Sequence, residues 1–396
     1  MADAREVWIT GIGIVSCLGE GIEAHWQGLS KPSRADTTAF APYVVHRAVP
    51  VDFDKQIPKK GDQRQMENWQ RYGVYAAGLA LDSAGMKGNA ELLAHTDMIV
   101  AAGGGERDGK VDISILAGMR EAKDRGAYLN QRLMSDLRPT LFLAQLSNLM
   151  AGNISIVHGV TGSSRTFMGE EQAGVDALRI ALARITAGQS DIALVGGAYN
   201  AERFDILLYY VVAKCLTHDR HTRVWERDAI GGGMELGTIA TFLVLEEKQH
   251  ALKRGATPFA RLASIETDQV KRAPGSITGT LERMWSGIAS RVKPENAALL
   301  SGATGVEPVT AEERAFLTKH PDLAVRATGT HLGHGLEPQF PANIALAAVA
   351  LRHGRLFPPA DESGVERAMD ARLRQVVVTS IGHRRGEGLA LVEAVD

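Results

Sequence analysis

Two adjacent glutamates are the first residues of this chain that could support acid–base chemistry. Glu170 and Glu171 end the run GSSRTFMGEE and precede an apolar helical pattern over Val175–Ile185. Glu171 would open that helix, where the N-terminal dipole favours a negative charge. Because the two carboxylates are neighbours on one chain, they cannot flank a substrate across a cleft as glycosidase carboxylates do. We therefore favour a helix-capping or core-filling role for Glu171 over a chemical one.

Two histidines offer a second chemistry, metal binding, but their surroundings argue against it. His331 and His334 lie three positions apart in a glycine-rich stretch with no cysteine or aspartate nearby, whereas a zinc site draws on three or four ligands. The run GGGMELG at 231–237 precedes a strand-like segment instead of opening a helix, so it is not a dinucleotide fingerprint. We predict no metal and no cofactor.

The chain contains two cysteines, Cys17 and Cys215. Two cysteines so far apart do not indicate a disulfide framework. We predict that both are reduced, partly buried thiols and that neither acts as a nucleophile.

Bulk composition limits the classes of function. The 396 residues are 45% hydrophobic and 23% charged, with a net charge of −2. These fractions are ordinary for a globular protein, and the charge argues against a nucleic acid or another polyanion as partner. No apolar run approaches the ~20 residues of a membrane span, and the first residues lack the pattern of a signal peptide. A cytoplasmic protein without a membrane span is expected.

Alternating strand and helix patterns predict an α/β fold with largely parallel sheets. Helices are predicted over Tyr72–Ala84 and Ala342–Arg352. The predicted strands are short apolar runs at Val7–Val15, Met98–Ala102, Asp191–Val195, Ile239–Glu246, Phe259–Ile265, Ala297–Leu300, Val325–Thr328 and Val376–Ser380.

Several segments share the pattern of one enzyme family. They include VWITGIGIVSCLGEG at 7–21, AGNISIVHGVTG at 151–162, GSSRTFMGEEQAG at 162–174 and DIALVGGA at 191–198. They resemble the β-ketoacyl-acyl-carrier-protein synthases of the type II class, in the thiolase superfamily. The resemblance extends from Val7 to Val395. It implies a thiolase-like fold, a duplicated αβαβα five-layer sandwich, with an N-terminal half over 1–250 and a C-terminal half over 251–396.

The resemblance also implies where the catalytic residues should lie. The family's nucleophilic cysteine falls on Glu171, and its first catalytic histidine falls on Gly302 in SGATGVEP, where Thr304 is retained. Its second histidine falls on His334, and its lysine falls on Gly329. One catalytic histidine therefore remains, without a thiol beside it.

The family's C-terminal gating loop is replaced by TSIGHRRGEG at 379–388. Ile381 and His383 take the two phenylalanine positions, and two arginines, at 384 and 385, take glycine positions. The arginines are either a solvated basic edge or a contact for an acidic carrier protein. Gln172, Thr304, Ile381 and His383 are the substrate-binding positions that the resemblance implies.

The resemblance implies a role in carrier-bound acyl chain elongation, with acyl carrier protein and acyl thioesters as partners. The leading hypothesis is a non-catalytic or weakly catalytic paralogue, similar to chain-length factors and to accessory synthases of very-long-chain acyl clusters that serve lipid A. It would form a homodimer or a heterodimer with a cysteine-bearing ketosynthase. The segment Glu106–Asn148 maps to the family's variable region of dimer contacts and is predicted to shape the partner's acyl tunnel.

Two alternatives keep an enzyme. In the first, Glu171 and His334, helped by Gln172, decarboxylate a malonyl thioester. A buried anion would repel the malonyl carboxylate unless it were protonated. In the second, the chain is a divergent 3-oxoacyl synthase with another nucleophile, although neither cysteine maps near the site. Whether the chain keeps catalytic activity stays open at this stage.

Overall fold

The computed structural model describes residues 5–136 and 139–395. Residues 1–4, 137–138 and 396 lie outside this description, including the outer ends of the two predicted halves and two positions of the segment Glu106–Asn148. The strands are β1 (Val7–Ser16), β2 (Gly19–Glu20), β3 (Val45–His46), β4 (Asp97–Ala102), β5 (Ser164–Met168), β6 (Ile192–Tyr199), β7 (Leu236–Gly237), β8 (Ile239–Glu247), β9 (Ala260–Asp268), β10 (Ala297–Ser301), β11 (Ala324–Ala327), β12 (Gln375–Ile381) and β13 (Glu387–Glu393).

Helices connect and cover these strands. They are α1 (Gly21–Gly28), α2 (Lys60–Gln65), α3 (Asn68–Ser83), α4 (Ala90–His95), α5 (Gly109–Glu121), α6 (Arg125–Asp136), α7 (Pro139–Ala144), α8 (Leu149–His158), α9 (Glu171–Thr186), α10 (Phe204–Val212), α11 (Lys248–Lys253), α12 (Ser276–Ile288), α13 (Val309–Thr318), α14 (Gly329–Leu332) and α15 (Gln339–His353). Within the described residues, none of these helices is both long and apolar enough to cross a membrane.

The strand order repeats between the two halves. The N-terminal half runs β5–β4–β6–β8–β1, and the C-terminal half runs β11–β10–β12–β13–β9. In each half the three strands at the outer end pair in parallel, and the next two pairings are antiparallel. A short antiparallel contact between β1 and β9 joins the halves. This repetition of order and direction is the predicted duplication.

The predicted largely parallel sheet is instead mixed. β12 and β13 are separated by residues 382–386, and so short a connection allows antiparallel pairing alone. The boundary predicted at residues 250 and 251 falls inside α11 and stays a prediction.

Five layers follow from the helix packing. α9 and α15 lie between the two halves of the sheet and contact each other, while α3 covers the N-terminal half and α12 with α13 covers the C-terminal half. α15 is buried along nearly its whole length because NIALAAVAL presents small apolar side chains on every face. Where α9 begins, a Cβ added to Gly174 would lie 2.2 Å from the Glu337 carbonyl oxygen. That close approach holds the start of α9 against the loop before α15.

Candidate functional site

Glu171 is the first residue of α9 and points into the protein between two histidines. Its side chain is buried, with 2% of the residue exposed. The Oε1 atom lies 2.9 Å from His334 Nε2 and 3.1 Å from His383 Nδ1. Residues from both halves of the duplicated fold therefore meet at one carboxylate oxygen.

The backbone fixes both histidines. The His334 N–H donates to the Glu235 carbonyl at 2.8 Å, and the Gly237 N–H donates to the His334 carbonyl at 2.9 Å, which ties this loop to β7. His383 lies in the turn between β12 and β13, which is closed by a hydrogen bond between the residues at 382 and 386.

Thr304 completes the group from the other side of His383. Its Oγ1 lies 2.9 Å from His383 Nε2. An ionised carboxylate only accepts hydrogen bonds, so His383 Nδ1 and His334 Nε2 must both donate to Glu171. A neutral His383 then accepts the Thr304 hydroxyl proton at Nε2. We refer to Glu171, His334, His383 and Thr304 as the Glu171 cluster.

The electrostatics keep this carboxylate charged. Burial alone would raise the pKa of Glu171, but His383 and His334 together hold that pKa below its ordinary value. Burial also lowers the pKa of His334, against the opposing pull of Glu171. The stable arrangement near neutral pH is an ionised glutamate with a neutral His334. Such a carboxylate cannot form a thioester, and it occupies hydrogen-bond donors that a substrate would otherwise use.

Three other predicted site positions lie outside the cluster. A Cβ added to Gly302 would lie 2.7 Å from the Thr379 carbonyl oxygen, so this position places no side chain in the site. Ile381 packs into the core of the C-terminal half and is 2% exposed. Gln172 points away and donates to Thr267 Oγ1 at 3.1 Å.

Gln172 and the two arginines of the gating loop, at 384 and 385, line a separate cavity of about 730 Å³. Arg384 also stacks over the Tyr209 ring at 5.1 Å, which links this cavity to α10. The two arginines therefore form a basic edge next to α10. Gln172 and Ile381 do not contact the Glu171 cluster, and their role in binding substrate stays a prediction.

Both cysteines are partly buried free thiols, as predicted. Burial raises the pKa of Cys17 to about 12, and its Sγ donates to the His331 carbonyl at 3.1 Å. Burial also raises the pKa of Cys215. Since the thiolate is the reactive form, burial disfavours a nucleophilic role at both positions.

A carboxyl group that the sequence reasoning missed lines a cavity of about 420 Å³ beside the cluster. Glu337 shares this cavity with Gly103–Gly105, Tyr199, Arg203 and Glu170. Burial raises the pKa of Glu337 to about 8. The sequence offered one signal, the acid that opens the run EPQF at 337–340, but this acid belongs to no motif that predicts a role for it.

A second buried glutamate has a similar pair of histidines. Glu235 Oε2 lies 2.8 Å from His46 Nε2, 2.6 Å from His221 Nδ1 and 3.1 Å from the Arg227 guanidinium. We refer to these four residues as the Glu235 cluster. No sequence motif predicted it: three members lie in the stretch 221–235, but His46 comes from a distant segment.

Comparison with known proteins defines the class. The model of the β-ketoacyl synthase N-terminal domain matches residues 4–251. The chain belongs to the β-ketoacyl synthase family, which confirms the resemblance seen in its sequence.

Individual relatives come from fatty-acid and polyketide systems. The chain is 26% identical over 273 residues to 3-oxoacyl-[acyl-carrier-protein] synthase 2 of Vibrio cholerae, a match covering 66% of this chain and 62% of that protein. It thus spans about three fifths of that relative's length. It is 24% identical over 410 residues to the ketoacyl synthase beta subunit of the tetracenomycin polyketide synthase of Streptomyces glaucescens, covering 98% of this chain and 97% of the relative.

Solved structures confirm the thiolase-like fold. The ishigamide ketosynthase/chain length factor superposes with a TM-score of 0.81 at 20% identity, covering 99% of this chain and all of that one. A β-ketoacyl synthase from Burkholderia phymatum gives a TM-score of 0.79 at 17% identity, with coverage of 99% and 100%.

Proposed function

We propose that this chain is the non-condensing subunit of a ketosynthase pair that elongates carrier-bound acyl chains. It would associate with a cysteine-bearing paralogue and help shape that partner's acyl tunnel. The observation that carries the proposal is the buried Glu171 carboxylate in the nucleophile position, held by His334 and His383.

The geometry argues against condensation by this chain. Acyl transfer needs a nucleophile that forms a thioester, and the decarboxylation step needs free donors for the enolate. Glu171 supplies no thiol, and both histidine protons are directed at Glu171 itself. The same arrangement weakens the malonyl decarboxylase alternative, because an ionised Glu171 would repel the substrate carboxylate and its histidine donors are occupied.

The surface of the N-terminal half supports association with a partner. β5 pairs with β4 and ends the strand order, leaving one edge of the sheet without a strand neighbour among the described residues. An unpaired edge is a ready template for another chain. Met168, at the end of β5, is 69% exposed and lines the same cavity as Arg384, which contacts α10.

α10 adds an apolar stripe. Phe204, Leu208 and Val212 recur every four residues on one helix face and are 70%, 62% and 75% exposed. Apolar side chains at this spacing normally face a core or a partner. We define β5 and this stripe as the docking surface of the proposed pair. The similarity to a polyketide ketosynthase beta subunit and to a ketosynthase/chain length factor agrees with this assignment.

Assembly can be tested by co-expression with a cysteine-bearing ketosynthase from the native cell. We expect one stable complex by light scattering coupled to gel filtration. The double variant Phe204→Arg/Val212→Arg should abolish it, whereas Leu252→Arg, which alters an exposed leucine outside the docking surface, should not. If the paralogue alone makes the same products at the same rate with or without this chain, the proposal is wrong.

Two further measurements separate shaping from catalysis. Incubation with acyl-loaded carrier protein should leave the chain's intact mass unchanged, and a stable acyl adduct would contradict a non-condensing role. In the assembled pair, Gln145→Trp should narrow the cavity of about 420 Å³ that this residue lines within Glu106–Asn148. The expected result is a shift in product length without loss of turnover.

A further inference from the structure

We propose that Glu171, His334 and His383 form a binding site for a divalent transition-metal ion, with Zn²⁺ the best match to the three ligands. The prediction of no metal rested on the spacing of His331 and His334 in the sequence. The fold instead brings His334 to two residues from other segments. This inference is independent of the proposed subunit role.

The ligand atoms are already close to a coordination geometry. One carboxylate oxygen and two imidazole nitrogens lie within 4.8 Å of one another. Bond lengths of ~2.0–2.2 Å in a tetrahedral zinc site separate ligand atoms by about 3.4 Å. The observed separations from Glu171 Oε1 are 2.9 Å to His334 and 3.1 Å to His383, so each of these two would lengthen by a few tenths of an ångström on metal binding. Two histidines and one glutamate also form a known zinc ligand set.

The second oxygen of the carboxylate lacks a partner. Glu171 Oε2 is fully buried and makes no hydrogen bond, a costly state for a charged group. A Cβ added to Gly382 would lie 3.3 Å from this oxygen, so the glycine keeps the adjacent space free of a side chain. An ion bound by the carboxylate would satisfy this oxygen directly or through a bound water.

Thr304 provides the outer support that a metal-bound histidine needs. To coordinate through Nδ1, a neutral His383 must carry its proton on Nε2, and that proton can be donated to Thr304 Oγ1 at 2.9 Å. The hydroxyl can accept as well as donate, so the tautomer changes without loss of the hydrogen bond. Ligating histidines usually donate their other N–H in this way.

The Glu235 cluster shows why a cation would select one glutamate over the other. Within it, the buried Arg227 guanidinium lies 3.1 Å from the oxygen that both histidines contact. A second cation there would face direct repulsion. Among the contacts of the described residues, the Glu171 carboxylate has no such arginine partner, so its charge is available to an ion.

The test is metal content of the full chain after chelator treatment, dialysis against Zn²⁺ and elemental analysis. We expect about one equivalent of Zn²⁺, and bound Co²⁺ should give the visible absorption of a tetrahedral site. Glu171→Gln and His383→Phe should each abolish binding, while Thr304→Val should weaken it ~10–100-fold. His221→Ala, in the Glu235 cluster, is the matched control and should retain the full equivalent.

Circular dichroism and gel filtration would establish that each variant is folded. Absence of Zn²⁺ above background in the folded wild-type chain would overturn the proposal. Loss of the metal in His221→Ala with retention in Glu171→Gln would also overturn it, because the ion would then belong to the other cluster.

Discussion

The Glu171 and Glu235 clusters are built from the same parts but differ in how the carboxylate is balanced. Each has a buried glutamate between two histidines. Glu235 also has Arg227, and its second oxygen accepts the Thr222 N–H at 2.8 Å. The second oxygen of Glu171 has no hydrogen-bond partner. Both oxygens of the Glu235 carboxylate therefore have polar partners in the protein, whereas one oxygen of the Glu171 carboxylate has none.

This difference assigns the clusters to separate tasks. Burial would raise the pKa of Glu235, but Arg227 and the two histidines hold it below its ordinary value. The Glu235 cluster also joins the small β3–β7 sheet to the body of the protein, and the Glu235 carbonyl anchors His334. Its task is structural, and its link to His334 is a backbone hydrogen bond that involves no atom of His221.

The largest effect should follow from Glu235→Gln. The substitution keeps the shape of the side chain but leaves Arg227 as a buried charge without its counterion. Breaking one partner of a buried ion pair costs about 3–5 kcal/mol. Denaturant titration should therefore show a much lower unfolding midpoint than for Glu171→Gln. Equal midpoints for the two variants would show that the clusters do not differ as described.

The second prediction concerns a carboxyl group with no counterpart near Glu235. Burial raises the pKa of Glu337 from 4.5 to about 8. The pKa of Glu337 is higher in the folded than in the unfolded chain. The protonated side chain therefore contributes fully to folding stability below pH 4.5, and this contribution is lost as the pH rises towards about 8. Between about pH 6 and pH 8, wild-type stability should fall more than that of Glu337→Gln, by up to about 3 kcal/mol.

Thermal unfolding of the two proteins across this pH range would measure the difference. Parallel curves for wild type and Glu337→Gln would mean that Glu337 is ionised throughout, and the cavity beside the Glu171 cluster would then hold a charge that burial did not suppress.

Glu171→Gln should have a smaller effect in the metal-free chain. A glutamine oxygen can still accept from His334 and His383, so the charge is lost while the contacts stay. We expect destabilisation of about 1.5 kcal/mol, the lower end for a hydrogen bond to a charged group. Because the two histidines hold the pKa of Glu171 below its ordinary value, wild type should also lose stability as the pH falls, and the variant should lose less. An unchanged acid profile would contradict an ionised Glu171.

The sequence predicted the fold better than the side-chain contacts. Strand and helix patterns, with the family resemblance, placed Glu171 at the start of a buried helix opposite His334. They also suggested Gln172 as a site residue. Successive residues of a helix are rotated by about 100°, so Gln172, which follows Glu171 in α9, faces another cavity. The contact between His383 and Glu171 depends on the path of residues 382–386, which no periodicity encodes. The Glu235 cluster joins His46 to the stretch 221–235, and no motif predicted that contact.

Thr304 provides the finest test, because each cluster has a hydroxyl behind one of its histidines: Ser33 Oγ lies 2.7 Å from His221 Nε2, as Thr304 Oγ1 lies behind His383. Thr304→Val removes the hydroxyl that contacts His383 Nε2 at 2.9 Å and leaves a buried imidazole nitrogen unpaired. The expected cost in the metal-free chain is about 1 kcal/mol, the mean for one hydrogen bond.

The variant Thr304→Ser is the control, because it keeps the hydroxyl and should be nearly as stable as wild type. If the methyl group were responsible for the loss instead, Thr304→Ser would be destabilised and Thr304→Val nearly unchanged. The measurement is the free energy of unfolding of the three proteins under one set of conditions. Equal stability of Thr304→Val and wild type would show that His383 is held by Glu171 alone, and the outer support assigned to Thr304 would be wrong.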